Sequence, residues 1–189
     1  RVFQGQKAPL LFGEPENWIA LLIEALLRDG RGDHADADRL RAQAFEQAPA
    51  TPGQAQGAGE GPPTAFEWIA DADMRIGPVL EAGVNGRYYW VPFSRLAAVT
   101  IEPPADLRDR VWMPASLTFA NGGQAVAFLP TRYAGSNLDD PLIALARKTE
   151  WSEPRPGLFV GNGQRMLATD AGDLALMDLR SITLGPAAA

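Results

Sequence analysis

An Asn-Gly pair between an apolar run and an aromatic run is the feature of this sequence that most constrains its fold. Asn85 and Gly86 tolerate positive φ angles at both central positions of a two-residue turn. The flanking segments, 76–84 and 87–91, have the apolar and aromatic composition of β-strands. Together the three segments predict a β-hairpin.

The second strand of this hairpin carries bulky side chains on both faces. Because side chains alternate along a strand, Tyr88 and Trp90 project to one face, whereas Tyr89 and Val91 project to the other. One of these faces must belong to a core. We therefore expect either a central strand or a strand whose second face is a binding surface.

Alternating polarity and turn residues continue after this hairpin and predict a mixed α+β domain over 64–189. Five short strands with tight turns need cover for their edges, and a small antiparallel SH3-like β-barrel is the simplest arrangement that provides it. The further strands are predicted at 97–101, 111–119 and 124–129, with a C-terminal hairpin at 165–169 and 174–179. Extra helices are predicted at 64–72, from a capping box of Thr64 and Glu67, and at 138–147. Pro186 and the alanines after it predict a frayed end.

The first 50 residues predict two helices, at about 16–28 and 34–48, joined by a glycine turn. Trp18, Leu22 and Leu26 share one face of the first helix. This pattern is tetratricopeptide-like, and an ordinary helical hairpin packed on the β domain explains it equally well. One such pair cannot bury its own faces, and the chain begins at Arg1, so we expect neighbouring helices from a missing N-terminal part or from a partner. Residues 51–63 are rich in Gly, Ala, Pro and Gln, which predicts a flexible linker.

Composition excludes several functional classes. The 189 residues carry a formal net charge of −6, which argues against nucleic-acid binding. Cysteine is absent and His34 is the single histidine, so neither a thiolate nucleophile nor a Cys- or His-based metal site is expected. The apolar runs are too short to span a membrane and no signal peptide is recognisable. We expect a cytoplasmic protein without a cofactor or a metal.

Two carboxylates and one aromatic loop are the candidates for a catalytic or a binding site. Asp71 and Asp73, with Arg132 and Tyr133, could serve a hydrolase or a metal-dependent enzyme if the four side chains converged on a cleft. The alternative is structural, with the aspartates accepting backbone N–H groups in a turn. Arg132 and Tyr133 could likewise form a recognition loop, or brace the interior through buried carbonyls or through the two aspartates.

Several segments in chain order resemble one protein family. The most specific are Phe66-Glu67-Trp68-Ile69-Ala70-Asp71-Ala72-Asp73 and Asn85-Gly86-Arg87-Tyr88-Tyr89-Trp90-Val91-Pro92-Phe93, supported by Leu129-Pro130-Thr131-Arg132-Tyr133, Thr149-Glu150-Trp151 and Ala168-Thr169-Asp170-Ala171-Gly172. In this order they resemble the ImpE/TagJ (SciE-type) family of accessory proteins of the bacterial type VI secretion system.

This resemblance implies a non-enzymatic adaptor. Members of the family bind the N-terminal helix of the small sheath subunit TssB and are linked to the ClpV ATPase that recycles the contracted sheath. A purely structural scaffold is the remaining alternative. The residues that we predict to contact a partner are Trp18, Leu22, Leu26, Tyr88, Trp90, Arg132 and Tyr133.

Overall fold

The computed structural model describes residues 1–185, so the frayed end predicted from Pro186 onward lies outside the described residues. The helices are α1 (Asn17–Gly30), α2 (His34–Gln47) and α3 (Pro141–Ala144), with short 3-10 turns at Val2–Gln4, Phe93–Arg95 and Leu176–Asp178. The strands are β1 (Leu10–Leu11), β2 (Gly53–Gly57), β3 (Thr64–Phe66), β4 (Ile69–Asp71), β5 (Val79–Val84), β6 (Arg87–Pro92), β7 (Leu96–Ile101), β8 (Trp112–Phe119), β9 (Gln124–Pro130), β10 (Thr149–Arg155), β11 (Leu158–Gly163), β12 (Met166–Thr169), β13 (Gly172–Ala175) and β14 (Leu179–Leu184).

Strands hold more of the described residues than helices do. The largest sheet has nine strands in the order β1-β6-β5-β9-β8-β7-β14-β2-β3, and all of its pairs are antiparallel except β1 with β6. A three-stranded sheet, β13-β12-β4, and the hairpin of β10 with β11 complete the β structure. The predicted α+β class is confirmed.

The hairpin at Asn85-Gly86 is also confirmed. Strands β5 and β6 pair from Val79 with Pro92 to Val84 with Arg87, which leaves the Asn-Gly pair as a two-residue turn. The φ angles of Asn85 and Gly86 are 50° and 73°, the positive values that such a turn requires.

Strand β6 separates two buried clusters and is covered on both faces. Tyr88 and Trp90 pack with α1 and with Ile76 in the smaller cluster, whereas Val91 lies in the larger cluster between the sheets and Tyr89 packs against it. The alternation predicted from the sequence is therefore right, and both faces are occupied from within the chain. This arrangement places α1 and α2 against the sheet, as the alternative of a packed helical hairpin requires, while their tetratricopeptide-like character stays a prediction.

The predicted SH3-like barrel is not formed. In the part of the chain that the structure describes, the nine-stranded sheet is open, with β1 and β3 as its edges. The extra strands explain the difference. β14 inserts between β7 and β2, so the strands predicted to close on themselves continue into a wider sheet instead.

Two predictions near residue 60 are wrong. Residues 53–57, inside the predicted flexible linker, form β2, because β14 and β3 supply hydrogen-bond partners on both of its sides. The capping box at Thr64 and Glu67 does not start a helix, since this stretch forms β3 and β4. The backbone N–H of Glu67 donates instead to Asp170, at 2.7 Å, so a distant carboxylate replaces the predicted cap.

The helix predicted at 138–147 shortens to α3. Pro141 cannot occupy a helix interior but fits the first turn, and Asp140 caps it by accepting the N–H of Leu142 at 2.8 Å. Leu138 and Leu142 consequently lie on the surface. The C-terminal hairpin is confirmed as β12 and β13, with its second strand ending before the predicted boundary.

Candidate functional site

A groove of about 850 Å³ opens between the first ten residues and the ends of the central strands. One wall comes from the segment around Lys7 and Leu10, and the other from the loop that carries Arg132 and Leu138. We refer to this space as the groove. Its buried lining residues include Glu81, Tyr133 and Arg165, which we call the floor.

The floor contains a buried ionic cluster centred on Arg165, which is 1% exposed. Its guanidinium donates through Nη1 to Asp71 and through Nη2 to Glu81, and its Nε donates to the Pro130 carbonyl at 3.0 Å. Tyr88 donates its hydroxyl to Glu81 and accepts the indole N–H of Trp90 at 2.8 Å. One cation thus faces two buried carboxylates and joins β4, β5 and the start of β12.

Burial changes the acidity of this cluster. Desolvation raises the pKa of Asp71 to about 7, although Arg165 opposes that rise. Burial by itself lowers the pKa of Arg165. The neighbouring Glu81 and Asp71 raise this pKa by more than burial lowers it, so the guanidinium stays charged. Desolvation and the neighbouring Glu81 raise the pKa of Tyr88 above its usual range, which keeps its hydroxyl a proton donor.

Arg132 and Tyr133 brace the interior next to this cluster. Tyr133 donates its hydroxyl to the Met166 carbonyl at 3.1 Å and accepts the Met166 N–H at 2.9 Å, and its ring lies 5.1 Å from the Arg165 guanidinium. Gly161 leaves room for this ring, because a Cβ there would overlap it. Arg132 donates to the carbonyl of Ala144, so it bonds a backbone carbonyl rather than Asp71 or Asp73.

The four residues of the enzyme alternative do not converge on one cleft. Arg132 and Tyr133 line the groove, whereas Asp71 and Asp73 do not. Asp73 accepts the N–H groups of Arg75 and Gly161, at 2.9 and 3.0 Å, and pairs with the Arg75 guanidinium at 2.6 Å. Asp71 accepts the Asp73 N–H at 2.9 Å. Both aspartates therefore serve turns and ion pairs. Among residues 1–185, no group of three or more metal-binding side chains is found.

Most of the residues predicted to contact a partner lie in the core. Trp18, Leu22, Leu26 and Trp90 are at most 3% exposed and belong to one cluster between α1 and the sheet, to which Tyr133 also belongs. Tyr88 is half-buried and Arg132 is partly exposed, and both line the groove. Contact between the seven predicted residues and a partner stays a prediction. The two more accessible ones, Tyr88 and Arg132, share the groove.

Glu81 and Arg165 were missed by the sequence reasoning. A signal for Glu81 was present, because it interrupts the apolar run from Val79 to Val84 and a carboxylate in a central strand needs a cation. Nothing local marks Arg165 as that cation, since it lies 84 residues further along the chain.

An exposed apolar stripe runs from the groove across β8 and β9. Trp112, Phe128 and Val126 are 44%, 44% and 70% exposed. The register pairs Trp112 with Pro130, Pro114 with Phe128 and Ser116 with Val126, which puts these side chains on one face of the sheet. Trp112 also lines the groove, so the stripe and the groove form one continuous surface.

Within residues 1–185, no helix combines the length and the apolar character needed to cross a bilayer.

A model of the ImpE protein family matches residues 63–183 of this chain, which is well over half of its length. The chain belongs to the ImpE family. The match confirms the resemblance drawn from the Asn85 to Phe93 and Phe66 to Asp73 segments. It spans β3 to β13 and most of β14, and therefore includes Asp71, Glu81 and Arg165 of the buried cluster.

This ImpE-family chain is also similar to a curated protein, the type VI secretion system accessory component TagJ of Pseudomonas aeruginosa strain PAO1. The two are 51% identical over 186 residues, which cover 98% of this chain and 63% of the relative. A crystal structure of protein VPA1032 from Vibrio parahaemolyticus shares the fold, with a TM-score of 0.85 and 22% identity, over 97% of this chain and 67% of that chain.

Proposed function

We propose that this chain is a non-enzymatic accessory component of the bacterial type VI secretion system. The observation that carries the proposal is its 51% identity, over 98% of its length, to the Pseudomonas TagJ protein. The commitment of Asp71 and Asp73 to backbone and arginine contacts supports a role without catalysis. Because the chain spans 63% of that relative, the partners and activity of the whole protein are part of the proposal.

The adaptor acts in the cytoplasm, where it holds the N-terminal helix of the small sheath subunit TssB and is linked to recycling of the sheath by the ClpV ATPase. An amphipathic helix binds proteins by laying its apolar stripe in a hydrophobic groove. The groove and the stripe of Trp112, Val126 and Phe128 offer an apolar surface of that kind.

Isothermal titration calorimetry with a synthetic peptide of the TssB N-terminal helix tests the proposal. We expect saturable binding at one peptide per chain, with a negative heat-capacity change because apolar surface is buried. The matched control is the same peptide with serine at its apolar positions, and it should not bind.

Two further binding experiments test the TssB part and the ClpV part of this proposal separately. Full-length TssB should co-elute with the chain in size-exclusion chromatography, and ClpV mixed with the chain alone tests a direct contact with the ATPase. If neither the peptide nor full-length TssB binds, the adaptor proposal is wrong and the purely structural scaffold is the better reading.

A further inference from the structure

We infer that two copies of this chain associate through the outer face of the nine-stranded sheet. The outer face is formed by those side chains of five neighbouring strands, β9, β8, β7, β14 and β2, that point away from the core. This association goes beyond the proposed adaptor function and requires no other protein. Its evidence is the exposure of the face, its charge and its area.

The strand register fixes which residues form the outer face. Val99, Leu117 and Ile182 lie on the core side of β7, β8 and β14 and are fully buried, so their neighbours in each strand point outward. The outward positions are the even-numbered residues of 54–56, 98–100, 114–118 and 124–128, with residues 181 and 183 of β14. In the described chain all of them are exposed or half-buried. None lines the groove, so the face does not involve the first ten residues.

The outer face carries no charged side chain. Its residues are serine, threonine, glutamine, alanine and proline, with Val126 and Phe128 on its β9 side. Charged residues make up 21% of the chain and are almost never fully buried, so five strands of exposed surface without one are unexpected. The nearest charges in the register are Glu102, beyond the end of β7, and Arg180, in the bulge at which β14 begins. The central part of a protein interface is depleted of charge in the same way.

A second copy of the chain is the partner that fits an uncharged face. In a two-fold dimer the same surface lies opposite itself, so a charged residue near the axis would face its own copy. A different protein imposes no such condition, because a charge on one surface can be matched by the opposite charge on the other. Each copy also has a formal net charge of −6, so two copies repel least where neither presents a charge.

The apolar side of the face sets how the two copies lie. Val126 and Phe128 are 70% and 44% exposed, whereas β14 and β2 present serine, threonine and glutamine. A two-fold axis that places β9 over β9 of the second copy brings apolar side chains together and leaves hydroxyls and amides opposite one another. Two sheets packed face to face lie about 10 Å apart. Val126 then lies close to its own copy across the interface.

The area of the face predicts a weak dimer. Five strands about 4.8 Å apart and about 20 Å long give a surface of roughly 20 Å by 20 Å, so two copies bury roughly 800–1,000 Å² in total. This total is at the lower limit for a specific interface, where association is transient. We expect a dissociation constant on the order of 10–100 µM.

Sedimentation equilibrium of the chain alone, at concentrations up to about 500 µM, tests the dimer. Thr100→Lys and Val126→Lys each place a like charge opposite its copy and should weaken dimerisation by about tenfold or more. The matched control is Leu107→Lys, which changes a side chain that is 73% exposed and lies off the face, and it should have less than about a twofold effect.

Salt distinguishes this dimer from one held by ion pairs. Because the outer face has no charge and the copies repel through the rest of their surfaces, raising NaCl from about 50 mM to about 500 mM should leave dimerisation unchanged or strengthen it. A dimer that salt weakens would be held by charges elsewhere, and the assignment of the outer face would be wrong.

The absence of cysteine from the sequence allows a direct test of the arrangement. Val126→Cys introduces a single thiol, and a short bismaleimide should link it to its own copy. Leu107→Cys, at a similarly exposed position, should not be linked at the same concentration. Equal linking of the two variants would contradict the placement of β9 over β9.

The remaining outcomes separate a second copy from other occupants. A chain that stays monomeric up to about 500 µM, or a dimer that neither Thr100→Lys nor Val126→Lys weakens, would overturn the inference. So would a dimer that is lost when any residues of the protein outside these 189 are included, because those residues would then cover the face. Val126 and Phe128 are also offered to the TssB helix, so sedimentation is measured without peptide and its failure leaves the adaptor function untouched.

Circular dichroism and urea unfolding of each variant confirm that the fold is kept. The altered residues are exposed, so lysine or cysteine there should be tolerated. Ser116→Lys, at another exposed position of the same face, replaces either lysine variant if one of them fails to fold.

Discussion

At the scale of single residues, the buried ionic cluster is held together by one arginine. Arg165 is the cation for both Asp71 and Glu81, and all three side chains are buried. Burying a charge is costly unless it is paired, and removal of the shared partner leaves two carboxylates unpaired at once.

Replacement of this arginine by a residue of similar length should therefore be strongly destabilising. We expect Arg165→Met to lower the free energy of unfolding by about 3–5 kcal/mol, measured by urea denaturation. Arg108→Met is the matched control, because the Arg108 side chain is 76% exposed, and it should change stability by less than about 0.5 kcal/mol. A similar small change in both variants would contradict the role assigned to the cluster.

The raised pKa of Asp71 predicts how stability varies with pH. The folded-state pKa is about 7, whereas that of the unfolded state is about 3.9. Between these values the folded protein holds a proton that the unfolded chain releases, so the contribution of Asp71 to stability falls as pH rises. Above pH 7 that contribution has been lost.

Urea denaturation at several pH values, compared between the unchanged chain and Asp71→Asn, measures this effect. Between pH 5 and pH 7 the unchanged chain should lose on the order of 2 kcal/mol more than the variant. Parallel stability curves for the two proteins would show that Asp71 does not titrate in this range.

At the scale of elements, α1 belongs to the core rather than to a free binding surface. Trp18→Ala should lower the free energy of unfolding by about 3–5 kcal/mol, because the indole is buried between α1 and the sheet. Leu138→Ala, at an exposed groove position, should change it by less than about 0.5 kcal/mol. Equal effects in urea denaturation would mean that α1 is not docked as described.

Sequence patterns predicted correctly the helices, strands and turns that are determined by residues close together in the chain. The Asn85-Gly86 turn, the two N-terminal helices and the alternating strands from β5 to β9 follow from turn residues and periodicity. Predictions failed where a distant segment supplies the hydrogen bonds. Residues 53–57 are polar and glycine-rich and become a strand only because β14 and β3 pair with them.

The candidate site was only partly accessible to sequence reasoning for the same reason. Arg132 and Tyr133 were singled out from their composition, and both line the groove. Leu138 was predicted to lie in the helix at 138–147, but Pro141 starts that helix later and leaves Leu138 at the groove. The positive charges that line the groove come from residues as far apart as Lys7 and Arg132, which no local pattern connects.

At the scale of the whole molecule, an ionic contact joins the helical pair to the β10–β11 hairpin. Arg155 of β10 donates to Asp29 of α1 and to Asp38 of α2, both at 2.7 Å. This contact lowers the pKa of Asp38 below its usual range, chiefly through the hydrogen bond from Arg155. The hairpin is thereby attached to a part of the chain more than 100 residues away.

Arg155→Ala should loosen that attachment without unfolding the protein. We expect hydrogen exchange in Thr149–Gly163 to accelerate, while the free energy of unfolding falls by about 1–2 kcal/mol, since the pairs are partly exposed. Arg39→Ala, whose ion pair lies within α2, is the control and should leave exchange in the hairpin unchanged. Unchanged exchange in both variants would argue against a coupling role for Arg155.

The position of β14 has a consequence for the order of events during synthesis. Strand β14 lies between β7 and β2, and β3 is joined to the sheet only through β2. A ribosome therefore makes β2, β3 and β7 long before it makes Leu179–Leu184. Until those residues emerge, two strands of the nascent chain have no place in the sheet and β7 exposes an open edge. The sheet can be completed only after translation has passed residue 184, so we expect the growing chain to keep an open strand edge until then.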